Sequence, residues 1–155
     1  MGRKSNYDDI DELLNDLKSD IEDTLMDEVL DEVKDIEIKK VQDDVFSAYS
    51  PKIYERRGTH GIDDPDNIVG TVNNMQLEVD NVTQFNEGYF SNNKGLGLAD
   101  LINDGNSLSG YFYDYPGSFE QPRRFIDDTI EEVEQTDKVE NALANGLRKR
   151  NYDVT

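Results

Sequence analysis

The sequence predicts an α+β domain: an antiparallel sheet of about four strands, with a long N-terminal helix and a C-terminal helix packed against it. Apolar residues recur every three or four positions over the first third of the chain. Two alternating apolar runs then meet at Asn73-Asn74, and a second helical pattern follows Pro122. We therefore expect a flexible arm at residues 1–7, one domain at residues 8–150 and a short tail at residues 151–155.

The N-terminal pattern predicts one long helix with an apolar face and an acidic face. The apolar stripe consists of Ile10, Leu13, Leu14, Leu17, Ile21, Leu25, Val29, Val33 and Ile36. Helical spacing continues to Phe46, with a break expected at residues 35–38, and Pro51 is expected to end the helix. The acidic face is interpreted either as an ordinary solvated helix face or as a surface that lines a lumen, and its candidates are Asp20, Asp23, Asp27 and Asp31.

The middle of the chain predicts strands. Residues 51–57 alternate in the manner of a strand. Residues 67–72 and 75–82 predict a hairpin in which Met75, Leu77 and Val79 share one face. Because Asn tolerates positive φ, Asn73-Asn74 fits a two-residue turn. A long exposed loop is expected at residues 84–97.

The last part of the chain predicts two more helical segments. A short helix is expected to begin with the apolar residues Leu96, Leu98, Leu101 and Ile102 and to stop at Gly105. The C-terminal helix is expected at residues 122–135 and 137–147, with a break near Thr136. Its predicted buried stripe is Phe125, Ile126, Ile130 and Val133. The basic side chains at its end suit the negative end of the helix dipole, and they are Arg148, Lys149 and Arg150.

Composition narrows the classes of function. The 155 residues carry a net charge of -19 and are 35% hydrophobic, yet they include eight Tyr and six Phe, which favours a folded domain with a thin core. The charge argues against passive binding to nucleic-acid phosphates. The chain has no Cys, which excludes disulfides, thiolate metal sites and thiol catalysis. The acidic start does not resemble a signal peptide and no apolar run reaches membrane-spanning length, so we expect a soluble protein.

Catalytic and metal-binding patterns are not found in the sequence. His60 is the only histidine and lies in a glycine-containing turn without a neighbouring nucleophile, so we interpret it as an exposed loop residue. Asp63, Asp64 and Asp66 lack the glycine and the terminal glutamate of a calcium loop and are interpreted as turn residues. We therefore expect no enzyme, no catalytic residue, no metal and no cofactor.

Candidate contact residues fall into aromatic and basic groups. The first group is Tyr54, Arg56 and Arg57, and the second is Arg123 and Arg124; each pairs either with the acidic helix of its own chain or with that of a neighbouring subunit. The third group lies in residues 107–120, which form either a strand with a core-covering loop or a subunit contact. Its members are Tyr111, Phe112, Tyr113, Tyr115 and Phe119.

The order of these segments resembles a known family. A long helix precedes SPKIYERR (residues 50–57), a hairpin, LADLINDGN (residues 98–106) and QPRRFIDDTIEEV (residues 121–133). In this order the chain resembles, over residues 8–150, the head–tail joining proteins of tailed bacteriophages. The unusually acidic first helix and the long loop at residues 84–97 depart from that family's pattern.

The resemblance implies a structural virion protein of the phage neck. Its specific implication is a tail-terminator (tail-completion) subunit, which forms a homo-oligomeric ring, expected to be hexameric. The implied partners are the tail tube protein and the head connector or stopper proteins, and genomic DNA passes through without sequence-specific binding. The implied location is the virion neck or tail, with the host cytoplasm as the place of assembly and no membrane involved.

Two alternatives stay open. Within the same class, the chain is a head-completion adaptor or a stopper. From a different class, it is an acidic protein that mimics DNA and binds a basic partner, which the net charge favours. A ring favours the terminator, whereas a monomer or dimer bound to a basic protein favours the mimic.

Overall fold

The computed structural model describes residues 9–48, 59–83, 97–105 and 121–154. These residues form an α+β fold of helices and one two-stranded antiparallel sheet. About four strands were expected, but the described residues contain two, and the other two candidate segments, 51–57 and 107–120, lie outside them. Within the described residues, none of the helices combines the length and the hydropathy needed to cross a membrane.

The N-terminal segment forms a helical run that contains two π-helical turns. Helix α1 (Ile10–Thr24) is followed by a π-helical turn (Leu25–Val29), and helix α2 (Leu30–Lys40) is followed by a second π-helical turn (Val41–Phe46). Residues 35–38 lie inside α2, so the break that was expected there is wrong. Asp9 caps the start, because its side chain accepts from the backbone N–H of Asp11.

The hairpin forms with its turn one residue later than predicted. Strand β1 (Ile68–Asn73) and strand β2 (Gln76–Asn81) are joined by Asn74 and Met75, whose φ values are 52° and 62°. Leu77 and Val79 are half-buried on one face as predicted, whereas Met75 is exposed in the turn. Its backbone N–H donates to Glu22 Oε1 at 3.2 Å, a tertiary contact that the sequence pattern does not contain.

The short helix α3 (Leu98–Asp104) ends as predicted at Gly105, which has φ +60°. Helix α4 (Phe125–Gln135) begins three residues after the predicted proline start. The backbone N–H groups of Ile126 and Asp127 donate to Asn103 Oδ1, at 2.9 and 3.4 Å. A residue of α3 therefore caps α4, and this cap sets the observed start.

Helix α4 buries a slightly different stripe from the predicted one. Phe125 is buried, but Ile130 is 52% exposed and Thr129 is buried in its place. Because a helix turns about 100° per residue, Ile130 lies about 140° from Phe125 and Thr129 only about 40° from it. The Thr129 hydroxyl donates to Phe125 O at 2.6 Å, so its burial leaves that group satisfied.

The break near Thr136 is confirmed, and helix α5 (Lys138–Lys149) follows it. The chain divides into two compact units. Unit 1 contains Met1–Val33, Gly70–Val79 and Val133–Thr155, and unit 2 contains Lys34–Val69 and Asp80–Glu132. Each unit collects segments that are distant in sequence.

Unit 2 holds a small apolar core. Its buried members are Val41, Val45, Ile62, Ala99, Ile102 and Phe125, with Phe46, Leu98 and Ile126 packed against them. The second π-helical turn, the loop before β1, α3 and α4 all contribute to it. This core fixes the end of the long helical run against α4.

Unit 1 packs α5 closely against α1 and the first π-helical turn. Gly146 is buried at the contact, and a Cβ built there would lie 2.4 Å from Thr24 Cγ2 and 2.7 Å from Glu28 Oε2. A side chain at this position would displace the side chains of Thr24 and Glu28, so glycine permits the close approach. Unit 1 therefore presents the acidic helix together with the basic end of α5.

Candidate interaction surfaces

The acidic face of the N-terminal helix is exposed along one row. Asp23, Asp27 and Asp31 are all exposed and follow each other at intervals of four residues. Successive members of such a row lie about 6 Å apart along the helix axis. Asp20, the fourth candidate, is half-buried. The row concentrates negative charge on one side of unit 1.

The basic end of α5 contacts one part of this row. Arg150 Nη2 lies 2.9 Å from Asp27 Oδ2 and Arg150 Nη1 lies 3.0 Å from Glu28 Oε2. Lys149 Nζ lies 3.4 Å from Glu28 Oε1. Burial alone would raise the pKa of Glu28, but hydrogen bonding and charge attraction from Arg150 and Lys149 hold that pKa below its ordinary value of 4.5. Part of the acidic face is therefore neutralised within the chain.

The residues after α5 extend this contact. The N–H of Tyr152 donates to Leu147 O at 3.0 Å and the N–H of Asn151 donates to Arg148 O at 2.9 Å, with Asn151 at φ 66°. This is the Schellman pattern of helix termination. It turns the Tyr152 hydroxyl toward Asp20, to which it donates at 2.6 Å.

The two described basic candidates have different environments. Arg123 is half-buried and donates from Nη1 to Val45 O at 2.9 Å, so it contacts the end of the second π-helical turn inside unit 2. Arg124 pairs with Asp127 at 2.9 Å on its own helix, and its side chain remains 66% exposed. Of the two, Arg124 is the residue that a neighbouring molecule can reach.

The remaining contact candidates lie outside the described residues. They are Tyr54, Arg56, Arg57, Tyr111, Phe112, Tyr113, Tyr115 and Phe119. Their interpretation as strand, core-covering loop or subunit contact therefore stays a prediction.

His60 and the aspartates near it form a loop. The His60 side chain is exposed, and Asp64 accepts hydrogen bonds from the backbone N–H groups of His60 and Asp66, at 2.6 and 3.0 Å. Asp63 accepts from the side-chain amide of Gln42 at 3.0 Å. Across the ranges that the structure covers, no group of three or more potential ligands is placed to hold a metal ion.

Sequence reasoning did not identify the charged residues that unit 2 brings together. Lys40 Nζ lies 2.8 Å from Glu132 Oε2, which links α2 to α4. Glu37 is buried, and its Oε1 accepts from Asn81 Nδ2 at 2.6 Å. Burial raises the pKa of Glu37, and the hydrogen bond from Asn81 offsets part of that rise. The only signal in the sequence was that Glu37 and Lys40 lie on the side of the helix that also carries the apolar stripe.

The basic end of α5 was predicted to interact with the helix dipole. Arg150 does donate to Gly146 O at 3.2 Å, which confirms this role for Arg150. Its ion pairs with the acidic helix were missed. A cluster of three cations in a strongly acidic chain was the signal that could have indicated them.

Comparison of the sequence with known proteins identifies one family. The family model YomN matches residues 9–149, nearly the whole chain. The match points to a phage protein and shows no head–tail joining family. No curated protein and no solved structure matches the chain.

Proposed function

We propose, from the premise that this chain belongs to the YomN family, that it is a structural protein of a tailed phage particle. Its specific role in this proposal is that of a tail-terminator subunit, which forms a ring between the tail tube and the head connector. It acts by assembly, without catalysis or a cofactor.

The order of the described elements supports this proposal. A long helical run, a hairpin, the short helix α3 and the C-terminal helices occur in the sequence order on which the resemblance to head–tail joining proteins rests. The family match adds that the chain is related to phage proteins. Within the same class, an adaptor or stopper role shares this support.

The exposed row Asp23, Asp27 and Asp31, in which Arg150 offsets the charge of Asp27 alone among the ion pairs of the described residues, is the observation that carries the proposal furthest. A channel through which DNA passes has to repel the phosphates, because attraction would retain the DNA. A wall of carboxylates on a ring of subunits provides that repulsion. In the proposed ring, the acidic helix faces the DNA path.

Ring closure requires that one surface of each subunit meets a different surface of the next. Opposite charges at such a contact set the register between subunits. Arg124 was predicted to make such a contact, and its side chain is exposed in the described part of unit 2. In the proposed assembly, it pairs with carboxylates of the adjacent subunit.

The test measures assembly of purified chain by native mass spectrometry, with and without tail tubes. The wild type is expected to form rings that bind tube ends. Arg124→Glu is expected to reduce ring formation, whereas Lys39→Glu, an equal change of charge at an exposed position of α2, is expected to leave it unchanged. A wild-type chain that stays monomeric in the presence of tail tubes would contradict the proposal.

A second candidate function follows from the same acidic row. Carboxylates spaced along a helix imitate a row of phosphates, and a basic DNA-binding protein would bind them electrostatically. This candidate requires a monomer or dimer that binds a basic protein in a salt-dependent manner. In the native mass spectrum, the ring and the small complex have different masses, which separates the two functions.

A further inference from the structure

The first turns of α1 carry apolar side chains that the structure leaves exposed. Ile10 is 71% exposed and Leu14 is 54% exposed. Leu17 and Ile21, which follow on the same helix, are half-buried. The four residues are spaced by four, three and four positions, which is the repeat of a coiled-coil seam with Leu14 and Ile21 at position a. We refer to this row of four residues as the α1 seam.

The packing of α5 explains why the seam is uncovered at its start. Gly146 of α5 lies against Thr24 of α1. Four residues later along both segments, Arg150 pairs with Glu28, so α5 runs parallel to the N-terminal helical run. Counted back from Gly146, the start of α5 comes level with residue 16 of α1. The earlier residues of α1, which include the exposed end of the seam, therefore extend past α5.

Two residues of opposite charge flank the open side of the seam. In the heptad that the seam defines, Asp11 and Lys18 both occupy position e. Asp11 is exposed, and the Lys18 side chain is 45% exposed, with Glu22 of its own helix 3.9 Å away. Two other carboxylates of these turns, Glu12 and Asp16, occupy the outer positions f and c. A helix packed on the seam therefore meets one anion and one cation beside it.

We propose that the α1 seam binds a second copy of this chain, with the two α1 helices packed antiparallel about a two-fold axis. In this arrangement position a of one helix packs against position d of the other, so Leu14 of each copy meets Leu17 of the second copy. The same register brings Asp11 of each copy beside Lys18 of the other. The dimer therefore has two intermolecular ion pairs on the open side of the seam.

Charge complementarity selects this orientation over a parallel one. Parallel helices place position e opposite position g, and the g residues here are Leu13 and Asp20. Leu13 carries no charge, and Asp20 already accepts a hydrogen bond from Tyr152 at 2.6 Å. The antiparallel contact uses the same surface on both copies, so it is separate from the ring contact proposed for Arg124, which joins two different surfaces. Dimers and rings differ in mass, so either proposal can fail without the other.

The contact is small, and a weak dimer is expected. Three turns of one helix bury less than the roughly 800 Å² per partner of a stable interface. The net charge of -19 on each copy opposes association, but at an ionic strength of about 0.15 M this repulsion is screened over about 8 Å. We therefore expect a dissociation constant on the order of 10–100 μM at that ionic strength.

Sedimentation equilibrium of the full chain at about 0.15 M salt measures this association. The wild type is expected to shift from monomer to dimer as its concentration rises. Leu14→Ser is expected to raise the dissociation constant about tenfold or more, because each dimer loses two buried leucine side chains. Ile130→Ser is the matched control, since Ile130 is 52% exposed on α4, and it is expected to leave the dissociation constant unchanged. Circular dichroism checks that each variant keeps its helical content.

An exchange of charges tests the orientation. Lys18→Glu and Asp11→Lys each place like charges together across the dimer, so each is expected to weaken it. The double variant Asp11→Lys/Lys18→Glu restores opposite charges and is expected to recover the wild-type dissociation constant. A wild type that stays monomeric up to about 0.5 mM overturns the proposal and leaves the seam to a different protein. Equal effects of Leu14→Ser and Ile130→Ser also overturn it, as does a double variant that associates no more tightly than the single ones.

Discussion

Gly105 shows how one residue permits the connection between two helices. Its φ of +60° ends α3, and a Cβ built there would lie 2.1 Å from Pro122 N and 2.5 Å from Gln121 C. Both contacts are with backbone atoms, so the neighbours have no rotamer that relieves them. A side chain at this position therefore forces the segment before α4 away from α3.

We expect Gly105→Ala to lower the free energy of unfolding by about 2 kcal/mol or more, from left-handed strain and the backbone clash together. Chemical denaturation measures the change. Gly97→Ala is the matched control, because Gly97 has φ -63° and its Cβ would meet only the Asp100 side chain. Equal stability of the two variants would show that the close approach at Gly105 is absent.

Glu37 is a buried carboxyl group with a raised pKa and Asn81 as its partner. The stability that it contributes is full below its ordinary pKa of 4.5 and is lost as the pH rises through the raised value. Glu37→Gln is expected to reduce the fall in unfolding free energy from about pH 5 to about pH 8, without abolishing it, because the pKa of Asp44 is also raised by burial and contributes in the same direction. Denaturation at a series of pH values measures this, with exposed Glu78→Gln as the control; identical slopes for all three proteins would refute it.

At the residue scale, sequence patterns predicted local geometry better than side-chain environment. The hairpin was predicted, but its turn lies one residue later than expected. In the observed turn, the backbone N–H of Met75 donates to Glu22. The end of α3 at Gly105 was predicted because glycine has a local conformational reason to be there. The burial of Thr129 in place of Ile130 depends on which side of α4 meets the core, and periodicity resolves that only within one residue.

Each of the two π-helical turns contains a half-buried carboxylate. The first contains Glu28, which together with Asp27 pairs with Arg150, and the second contains Asp44, whose Oδ2 atom is buried. A π-helical turn inserts one residue into the helical ladder and often occurs at functional positions. In the sequence these segments look like ordinary continuations of the amphipathic pattern, so neither turn was predicted.

Arg150 joins α5 to the first π-helical turn, and its side chain is only 19% exposed beside Glu28 at 18%. Arg150→Met is expected to lower the free energy of unfolding by about 2 kcal/mol, because it leaves Asp27 and Glu28 together without their guanidinium partner. Lys149→Met is the control, since that side chain is 69% exposed and its loss is expected to cost less than about 0.5 kcal/mol. Chemical denaturation of the two variants measures the loss of unfolding free energy in each. Equal small losses would mean that packing alone maintains the contact of α5 with the first π-helical turn.

The helices could be predicted from periodicity, but their connections could not. The start of α4 is set by Asn103 on α3, a cap that acts across the fold and leaves no local signature near Pro122. The same holds for the pairing of Arg150 with the first π-helical turn, which depends on α5 folding back onto the N-terminal helical run. Contacts between distant segments follow from packing, and a single sequence does not encode them as a pattern.

At the scale of the whole molecule, a net charge of -19 is the dominant property. Repulsion among the carboxylates opposes folding and assembly, and it is screened over about 10 Å at an ionic strength of about 0.1 M. We expect the thermal midpoint to rise by about 2–4 °C when salt increases from about 0.02 M to about 0.3 M. Scanning calorimetry measures the change, and the double variant Asp23→Asn/Asp31→Asn is expected to show a smaller salt effect. A midpoint that falls with salt would instead show that ion pairs such as Arg150–Glu28 outweigh the repulsion.

The proposed neck role depends on where copies of the chain stand in an assembled particle. The direct measurement is cryo-electron microscopy of phage particles that carry this protein, with its location in the density as the readout. Our account predicts a six-fold ring between the tail tube and the head connector, with the row Asp23, Asp27 and Asp31 facing the channel. A twelve-fold ring against the portal would contradict the terminator role and favour the adaptor. Absence of the chain from the particle would contradict the structural role and favour the acidic mimic.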